Sequence, residues 1–123
     1  MRLLLDTNVL VWGLNDTSRI RPAVHEVMSA HENWVSHVSV WEIAVKEANG
    51  KTLVDLDVPE WLSTSGLNQL PISLEHVWRV RTLPLLHRNP FDRLLVAQAM
   101  VEGMTLVTGD RHLAAYGIPV IQV

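Results

Sequence analysis

The sequence predicts an α/β protein, a three-layer α/β/α sandwich around a central parallel sheet of about five strands. Short apolar runs, such as residues 3–5 and 104–107, alternate with longer segments of helical periodicity. The apolar runs are continuous, as in strands that are buried on both faces. The chain has 123 residues, of which 48% are hydrophobic, so we expect a single domain over residues 1–123 with a substantial core.

The first half of the chain is predicted to contain two strands and four helices. Residues 3–5 form the first strand, and helices follow over 9–14 and 22–30. The β-rich residues 34–38 form the second strand. Ser39 then begins a helix that ends near residue 49, and Pro59 opens a shorter helix over 60–65.

The second half continues the alternation. Residues 70–72 form a weak strand at a sheet edge, because Pro71 has no N–H to donate. Ser73 caps a helix that runs to about residue 81, and Asn89 caps a helix over 90–102. The remaining elements are a strand over 104–107, a short helix that ends near 115 and a last strand over 119–123.

The composition excludes some classes of protein and leaves others open. Without cysteine the chain forms no disulfide or thiolate metal site, which suits a reducing cytoplasm. Asp6 interrupts the first apolar stretch too early for a signal peptide, and no run approaches the ~18 residues that span a membrane. The net charge of −3 does not favour nucleic-acid binding. When Asp6, Glu42, Asp92 and Asp110 are left out, however, the rest of the chain has a net charge of +1, four units above −3.

Two carboxylates follow buried strands. Asp6 comes directly after residues 3–5, and Asp110 follows residues 104–107 by a short turn. If these strands are parallel, both carboxylates lie at the edge where open α/β sheets bind ligands. A cap or turn role for Asp6 or Asn8 is the structural alternative.

Two further carboxylates stand near helix starts. Asp92 lies in the first turn of an almost wholly apolar helix, where the macrodipole alone would favour an acid. Glu42 fits a capping box with Ser39 and is also placed to pair with Lys46. Each position therefore has a structural explanation when it is taken alone.

Together, the four acids indicate a metal site. Two acids at strand ends and two at helix starts can converge on one crevice, where like charges repel unless a cation is bound. Hard oxygen ligands without cysteine favour Mg²⁺, with Mn²⁺ as an alternative. Two such ions ~3.5–4 Å apart can activate water and stabilise a leaving oxygen.

Four segments resemble the ordered motifs of PIN-domain ribonucleases, and most closely the VapC toxins of bacterial toxin–antitoxin pairs. They read LLLDTN at 3–8, VSVWEI at 38–43, HRNPFDRLL at 87–95 and LVTGD at 106–110. The resemblance covers nearly the whole chain. It implies a PIN-like fold, Mg²⁺-dependent endoribonuclease activity on RNA, a homodimer and a cognate antitoxin protein.

The resemblance also implies roles for single residues. Asp6, Asp92 and Asp110 would be direct metal ligands, and Glu42 would complete the catalytic quartet, acting through water. Thr108 would support the site. Asn8 would hold the turn at Asp6. Three arginines lie beside the motifs and would either contact RNA phosphate or be solvated: Arg88, Arg93 and Arg111.

Three alternatives remain. A haloacid-dehalogenase-like phosphatase would need a second acid at position 8, which is Asn8. A response-regulator receiver domain would need a late lysine, and the last lysine is Lys51. A catalytically inactive RNA- or protein-binding module would not need the quartet. Among the five tryptophans, Trp41 and Trp61 are predicted to line a partner-binding groove, where aromatic residues are enriched.

Overall fold

Five parallel strands form one sheet in the computed structural model, which describes residues 1–86 and 88–123. His87, the first residue of one motif quoted above, lies outside the described residues. The sheet order is β3-β2-β1-β4-β5. Its strands are β1 (Arg2–Leu5), β2 (Glu32–Ser36), β3 (Asn68–Leu70), β4 (Thr105–Thr108) and β5 (Val120–Gln122). The predicted parallel sheet is confirmed, and so is a weak strand at its edge, but β3 covers Asn68–Leu70 instead of residues 70–72, so Pro71 follows the strand and does not lie in it.

Helices cover both faces of this sheet, so the predicted three layers are confirmed. The α-helices are α1 (Thr7–Asn15), α2 (Pro22–Ala30), α3 (His37–Ala48), α4 (Val58–Thr64), α5 (Leu74–Arg79) and α6 (Pro90–Glu102). Short 3-10 helices lie at Thr17–Arg19, Val80–Thr82 and Arg111–Tyr116. Within the described residues, no helix has the length and apolar character needed to cross a membrane.

The alternation of side chains along β1 divides the core into two parts. Leu3 and Leu5 face a cluster built with α1, α2 and α4, whereas Leu4 faces a cluster dominated by α6. All three leucines are buried. Both faces of β1 are therefore apolar, which explains why its sequence is a continuous apolar run.

The structure shifts the boundary between β2 and α3 by two residues. The sequence placed the helix start at Ser39, but α3 begins at His37 and its N-cap is Ser36, whose hydroxyl accepts a hydrogen bond from the Val38 N–H at 2.9 Å. Ser39 therefore lies inside the helix, and the capping box with Glu42 is wrong. Both serines are acceptable caps, and a distant contact decides between them.

That contact belongs to a buried polar chain, here called the Gln98 network. The Ser36 hydroxyl donates to Oε1 of Gln98, and Nε2 of Gln98 lies 3.2 Å from Nδ1 of His76. Nε2 of His76 lies 2.8 Å from a carboxylate oxygen of Glu102. The network fixes the start of α3 against α5 and α6.

Candidate active site

Asp6 lies at the carboxyl end of β1, where the sheet order reverses between β1 and β4. This switch point is where open α/β sheets form ligand crevices. The Asp6 side chain is almost fully buried. Its Oδ1 accepts a hydrogen bond from the Thr7 N–H at 2.7 Å, and its Oδ2 accepts one from the Thr108 hydroxyl at 2.7 Å.

The surroundings of Asp6 disfavour its negative charge. Burial raises the pKa of this carboxyl above its ordinary value, and the carboxylates of Glu42 and Asp110 raise it further. The hydrogen bonds from Thr108 and Thr7 oppose this effect by stabilising the charged form. A cation placed beside Asp6 would therefore relieve an electrostatic cost that the fold itself imposes.

Thr108 connects the ends of β1 and β4. Besides donating to Asp6, its Oγ1 accepts a hydrogen bond from the Asp110 N–H at 3.0 Å. One hydroxyl thus relates the positions of two carboxylates that are far apart in the sequence. The supporting role that we predicted for Thr108 has a geometric basis in these two hydrogen bonds.

Glu42 lies within α3 and is buried. Its Oε2 pairs with Lys46 Nζ at 2.9 Å, one helical turn away, as the spacing predicted. Its Oε1 is buried and has no hydrogen-bond partner among the described residues. A buried carboxylate oxygen without a partner is costly, which marks a position where a cation or a bound water would be stabilised.

Asp110 and Asp92 are less buried than Asp6. Asp110 caps the 3-10 helix Arg111–Tyr116 through a 2.9 Å hydrogen bond from the His112 N–H, and its side chain is one quarter exposed. Asp92 lies in the first turn of α6, where Asn89 is the N-cap as predicted. Asn89 Oδ1 accepts from the Asp92 N–H at 3.3 Å, so the helix start is already capped without the Asp92 carboxylate.

Aromatic packing brings the start of α6 against α3. The rings of Trp41 and Phe91 meet edge to face, with centroids 4.6 Å apart. Each ring belongs to the residue next to an acid of the quartet, Glu42 or Asp92. This contact packs the start of α6, which carries Asp92, against the part of α3 that carries Glu42.

The carboxylate oxygens of the four acids fit a hard divalent cation. Within residues 1–86 and 88–123, no three acidic or histidine side chains stand close enough together to hold an ion as they are placed. The fit rests on the unpartnered Oε1 of Glu42 and on the raised pKa of Asp6.

Two groups of predicted residues lie differently from the quartet. Asn8 is exposed, and among the described residues its side chain makes no hydrogen bond to the turn at Asp6, which Thr7 and Thr108 hold instead. Arg93 directs its guanidinium at backbone carbonyls, including that of Pro84 at 2.8 Å. The remaining predicted arginines are exposed: Arg88 and Arg111.

Sequence reasoning missed two contacts that shape the site. The Thr7 hydroxyl donates to the Ser39 hydroxyl at 3.0 Å and joins the starts of α1 and α3. Trp12 packs over Gly109, where an added Cβ would lie 2.6 Å from Cη2 of the ring. Pattern reading does not pair such distant residues, but a glycine between Thr108 and Asp110 was a signal of close approach.

An apolar groove lies between α3 and α4 and is here called the Trp41 groove. It has a volume of about 470 Å³, and Trp41, which is 45% exposed, forms part of its wall. Its lining residues are His37, Val40, Trp41, Ala44, Pro59, Leu62 and Gln69. Trp61 lines a separate apolar pocket of about 190 Å³. The predicted groove therefore contains Trp41 but not Trp61.

The fold and the acids define the class, a parallel α/β/α domain with carboxylates at the strand ends of its switch point. The sequence pattern of the PIN domain matches residues 3–119, and the chain belongs to the PIN-domain family. No curated protein sequence matches the chain significantly. Nuclease activity is typical of this family.

Solved structures share the fold at low sequence identity. A chain of VapBC2 from Rickettsia felis, bound to a DNA fragment from its promoter, is 17% identical with a TM-score of 0.76, covering 100% of this chain and 99% of that chain. A chain of DNA-bound VapBC from Salmonella typhimurium is 15% identical with a TM-score of 0.69, covering 99% of this chain and 98% of that chain. A chain of FitAcB from Neisseria gonorrhoeae is 19% identical with a TM-score of 0.65, covering 98% of this chain and 96% of that chain.

Proposed function

We propose that this protein is a metal-dependent endoribonuclease and the toxin of a toxin–antitoxin pair. The observation that carries the proposal is the buried acidic site itself, in which Glu42 keeps an oxygen without a partner and Asp6 is costly to ionise. Family membership supports nuclease chemistry, because PIN domains are typically nucleases. RNA as the substrate and Mg²⁺ as the cofactor, with Mn²⁺ as an alternative, belong to the proposal.

Each acid has a role in the proposed mechanism. Asp6, Asp92 and Asp110 would hold Mg²⁺, and Glu42 would contribute Oε1, either directly or through water. The bound ion would lower the pKa of water and stabilise the leaving oxygen. Thr108 orients Asp6 and the Asp110 backbone, so it fixes two ligands relative to each other. Water is the nucleophile, so the products carry 5′-phosphate and 3′-hydroxyl ends.

The direct test uses the purified chain and a mixed RNA pool. We expect cleavage with Mg²⁺, none with EDTA, and none by Asp110→Asn. Asp55→Asn is the matched control, because Asp55 is an exposed acid on the protein surface. Cleavage that persists in EDTA, or products that end in a 2′,3′-cyclic phosphate, would contradict the mechanism.

An inactive RNA- or protein-binding module is the second candidate. The observation that favours it is the lack, within the described residues, of three acids already gathered around one point. RNA binding without cleavage at any Mg²⁺ or Mn²⁺ concentration would establish this alternative. Both candidates use the same crevice, so the cleavage assay separates them.

A cognate antitoxin is the proposed protein partner. The solved neighbours include toxin–antitoxin complexes, and the Trp41 groove is an apolar surface whose wall includes the residue next to Glu42 in the sequence. We expect an antitoxin segment to place apolar side chains in this groove and a basic side chain at the acids, which would attract it. Expression in the cytoplasm of a bacterial host should arrest growth for the wild type and not for Asp6→Ala. Equal toxicity of the two would contradict the toxin assignment.

A homodimer is proposed through the outer face of α5 and the loop that follows. Leu74 is 84% exposed, Trp78 65% and Leu85 92%, which makes this the most apolar exposed part of the described chain. A second copy of the chain would bury these side chains. Sedimentation should show a dimer that Trp78→Glu converts to a monomer. Trp41→Glu is the control and should remain dimeric, because Trp41 lies on the other apolar surface.

A further inference from the structure

Lys46 is bound to the acidic site without belonging to the four acids. Its Nζ lies 2.9 Å from Glu42 Oε2, and the side chain of Lys46 is 35% exposed while that of Glu42 is 6% exposed. The lysine stem therefore runs from the surface of α3 towards a buried carboxylate. An exposed pair at this spacing contributes little to stability. This pair differs, because one partner is buried beside further acids.

The pair makes the two oxygens of Glu42 unequal. Oε2 is occupied by Lys46, and Oε1 is buried without a hydrogen-bond partner among the described residues. The carboxyl group can therefore offer one oxygen to a cation without losing its lysine. Glu42 also lies close enough to Asp6 to act on its charge, since the carboxylates of Glu42 and Asp110 both raise the pKa of Asp6.

We propose that Lys46 is a positioning residue and the resident counter-ion of Glu42. It holds Oε2, which leaves Oε1 as the single oxygen that Glu42 presents to a divalent cation. It also lowers the negative charge of the site by one, which limits how tightly the cation binds. The inference rests on the proposed function only in that a divalent cation binds at the four acids.

The test measures Mn²⁺ binding to the purified chain from the paramagnetic resonance signal of the free ion, with no substrate present. Lys46→Met should bind Mn²⁺ about tenfold more tightly than the wild type, because a neighbouring positive charge is removed and both oxygens of Glu42 become available. Lys46→Arg should restore the wild-type affinity. Lys51→Met is the matched control, since it removes an exposed lysine near the same helix and should leave the affinity unchanged.

A double-mutant cycle assigns the effect to Glu42. In the Glu42→Gln background, Lys46→Met should change Mn²⁺ affinity by less than twofold, because the carboxylate that Lys46 holds is gone. Thermal melts in EDTA should show that Lys46→Met is less stable than the wild type, with Lys46→Gln as a second variant if Lys46→Met does not fold. A merely structural helix pair would lower stability without changing the affinity.

The outcomes separate the inference from the proposed function. A wild type that binds no Mn²⁺ overturns the metal site and the role of Lys46 with it. A wild type that binds Mn²⁺ while Lys46→Met and Lys46→Gln bind it equally or more weakly overturns the role of Lys46 alone. A change of equal size in the Glu42→Gln background would also overturn it.

Discussion

The molecule contains two buried polar clusters that solve the same problem in opposite ways. In the Gln98 network the polar groups of Ser36, Gln98, His76 and Glu102 find hydrogen-bond partners in the chain itself. In the acidic site Glu42 keeps a buried oxygen without a described partner, and burial raises the pKa of Asp6. One cluster is complete, whereas the other needs something that the described chain does not supply.

The difference makes the acidic site a candidate for function. The same fold provides hydrogen-bond partners for a serine at the start of α3, a glutamine in α6 and a histidine in α5. Buried polar groups are nearly always paired, so an exception that lies at the switch point of the sheet is a candidate for function. Four predictions test this contrast.

The largest effect is expected from Asp6→Asn. This change keeps the shape of the side chain but removes a proposed metal ligand, so RNA cleavage should fall by at least about 100-fold. Because the fold disfavours the charge of Asp6, the metal-free variant should be as stable as the wild type or more stable. A cleavage assay and urea unfolding in EDTA measure the two effects. A variant that loses stability and activity together would make Asp6 a structural residue.

The complete cluster should respond in the reverse manner to Gln98→Leu. Leucine leaves the Ser36 hydroxyl without its acceptor and removes the Gln98 N–H group that lies beside His76 Nδ1. The free energy of unfolding should fall by about 1–3 kcal/mol. Cleavage per folded molecule should be preserved below the melting temperature. Gln69→Leu is the control, because Gln69 is exposed and should change stability by less than about 0.5 kcal/mol. Unchanged stability of Gln98→Leu would contradict the structural role of the network.

A smaller effect is expected from Gly109→Ala, which enlarges the turn between Thr108 and Asp110. The new Cβ would meet the Trp12 ring at 2.6 Å, so the turn or the ring must move, at a cost of about 1–3 kcal/mol. Metal affinity should fall as Asp110 is displaced. Gly13→Ala is the control, because a Cβ there has open space within α1 and should stabilise the helix by up to about 1 kcal/mol. Equal melting temperatures for the two variants would contradict the contact.

The smallest effect is the pH dependence of stability in EDTA. The pKa of Asp6 is raised in the folded state above its ordinary value of 3.8, so the folded state binds the proton more tightly than the unfolded state. Its penalty is therefore absent below pH 3.8 and grows as the pH rises through the folded pKa. Relative to Asp6→Asn, the wild type should lose stability over that range, and Mg²⁺ should reduce the loss. A wild type that gains stability relative to the variant as the pH rises would contradict the direction of the shift.

Local signals were sufficient for much of the fold. Pro22 opens α2 where we expected it, and Asn89 with Gly103 bounds α6 as predicted. These ends depend on residues within one or two turns, which a sequence displays directly. The strand boundary at Ser36 was missed because its cap is selected through Gln98, which is 62 positions away.

The functional roles of the site residues remain predictions, but the positions of some of them in the fold could be read from the sequence. The placement of Asp6 and Asp110 at one sheet edge follows from strand order alone. The hydrogen bond between Thr108 and Asp6 joins residues 102 positions apart and was not predicted; family resemblance suggested only that Thr108 supports the site. The exposed position of Asn8 could not be foreseen, because the turn it was expected to hold is held by a hydroxyl from another strand.

The first strand, β1, pairs with β4, which comes late in the chain, and this has a consequence for the timing of synthesis. Thr108 and Asp110 leave the ribosome about 5–20 s after Asp6 at typical elongation rates. Every residue that lines the Trp41 groove lies between positions 37 and 69 and is made earlier. The residues of the groove proposed for the antitoxin are therefore synthesised before the set of carboxylates is complete. Under the proposed function, cleavage of RNA would have to wait for the end of the chain, whereas the segment that binds the inhibitor would already have been made.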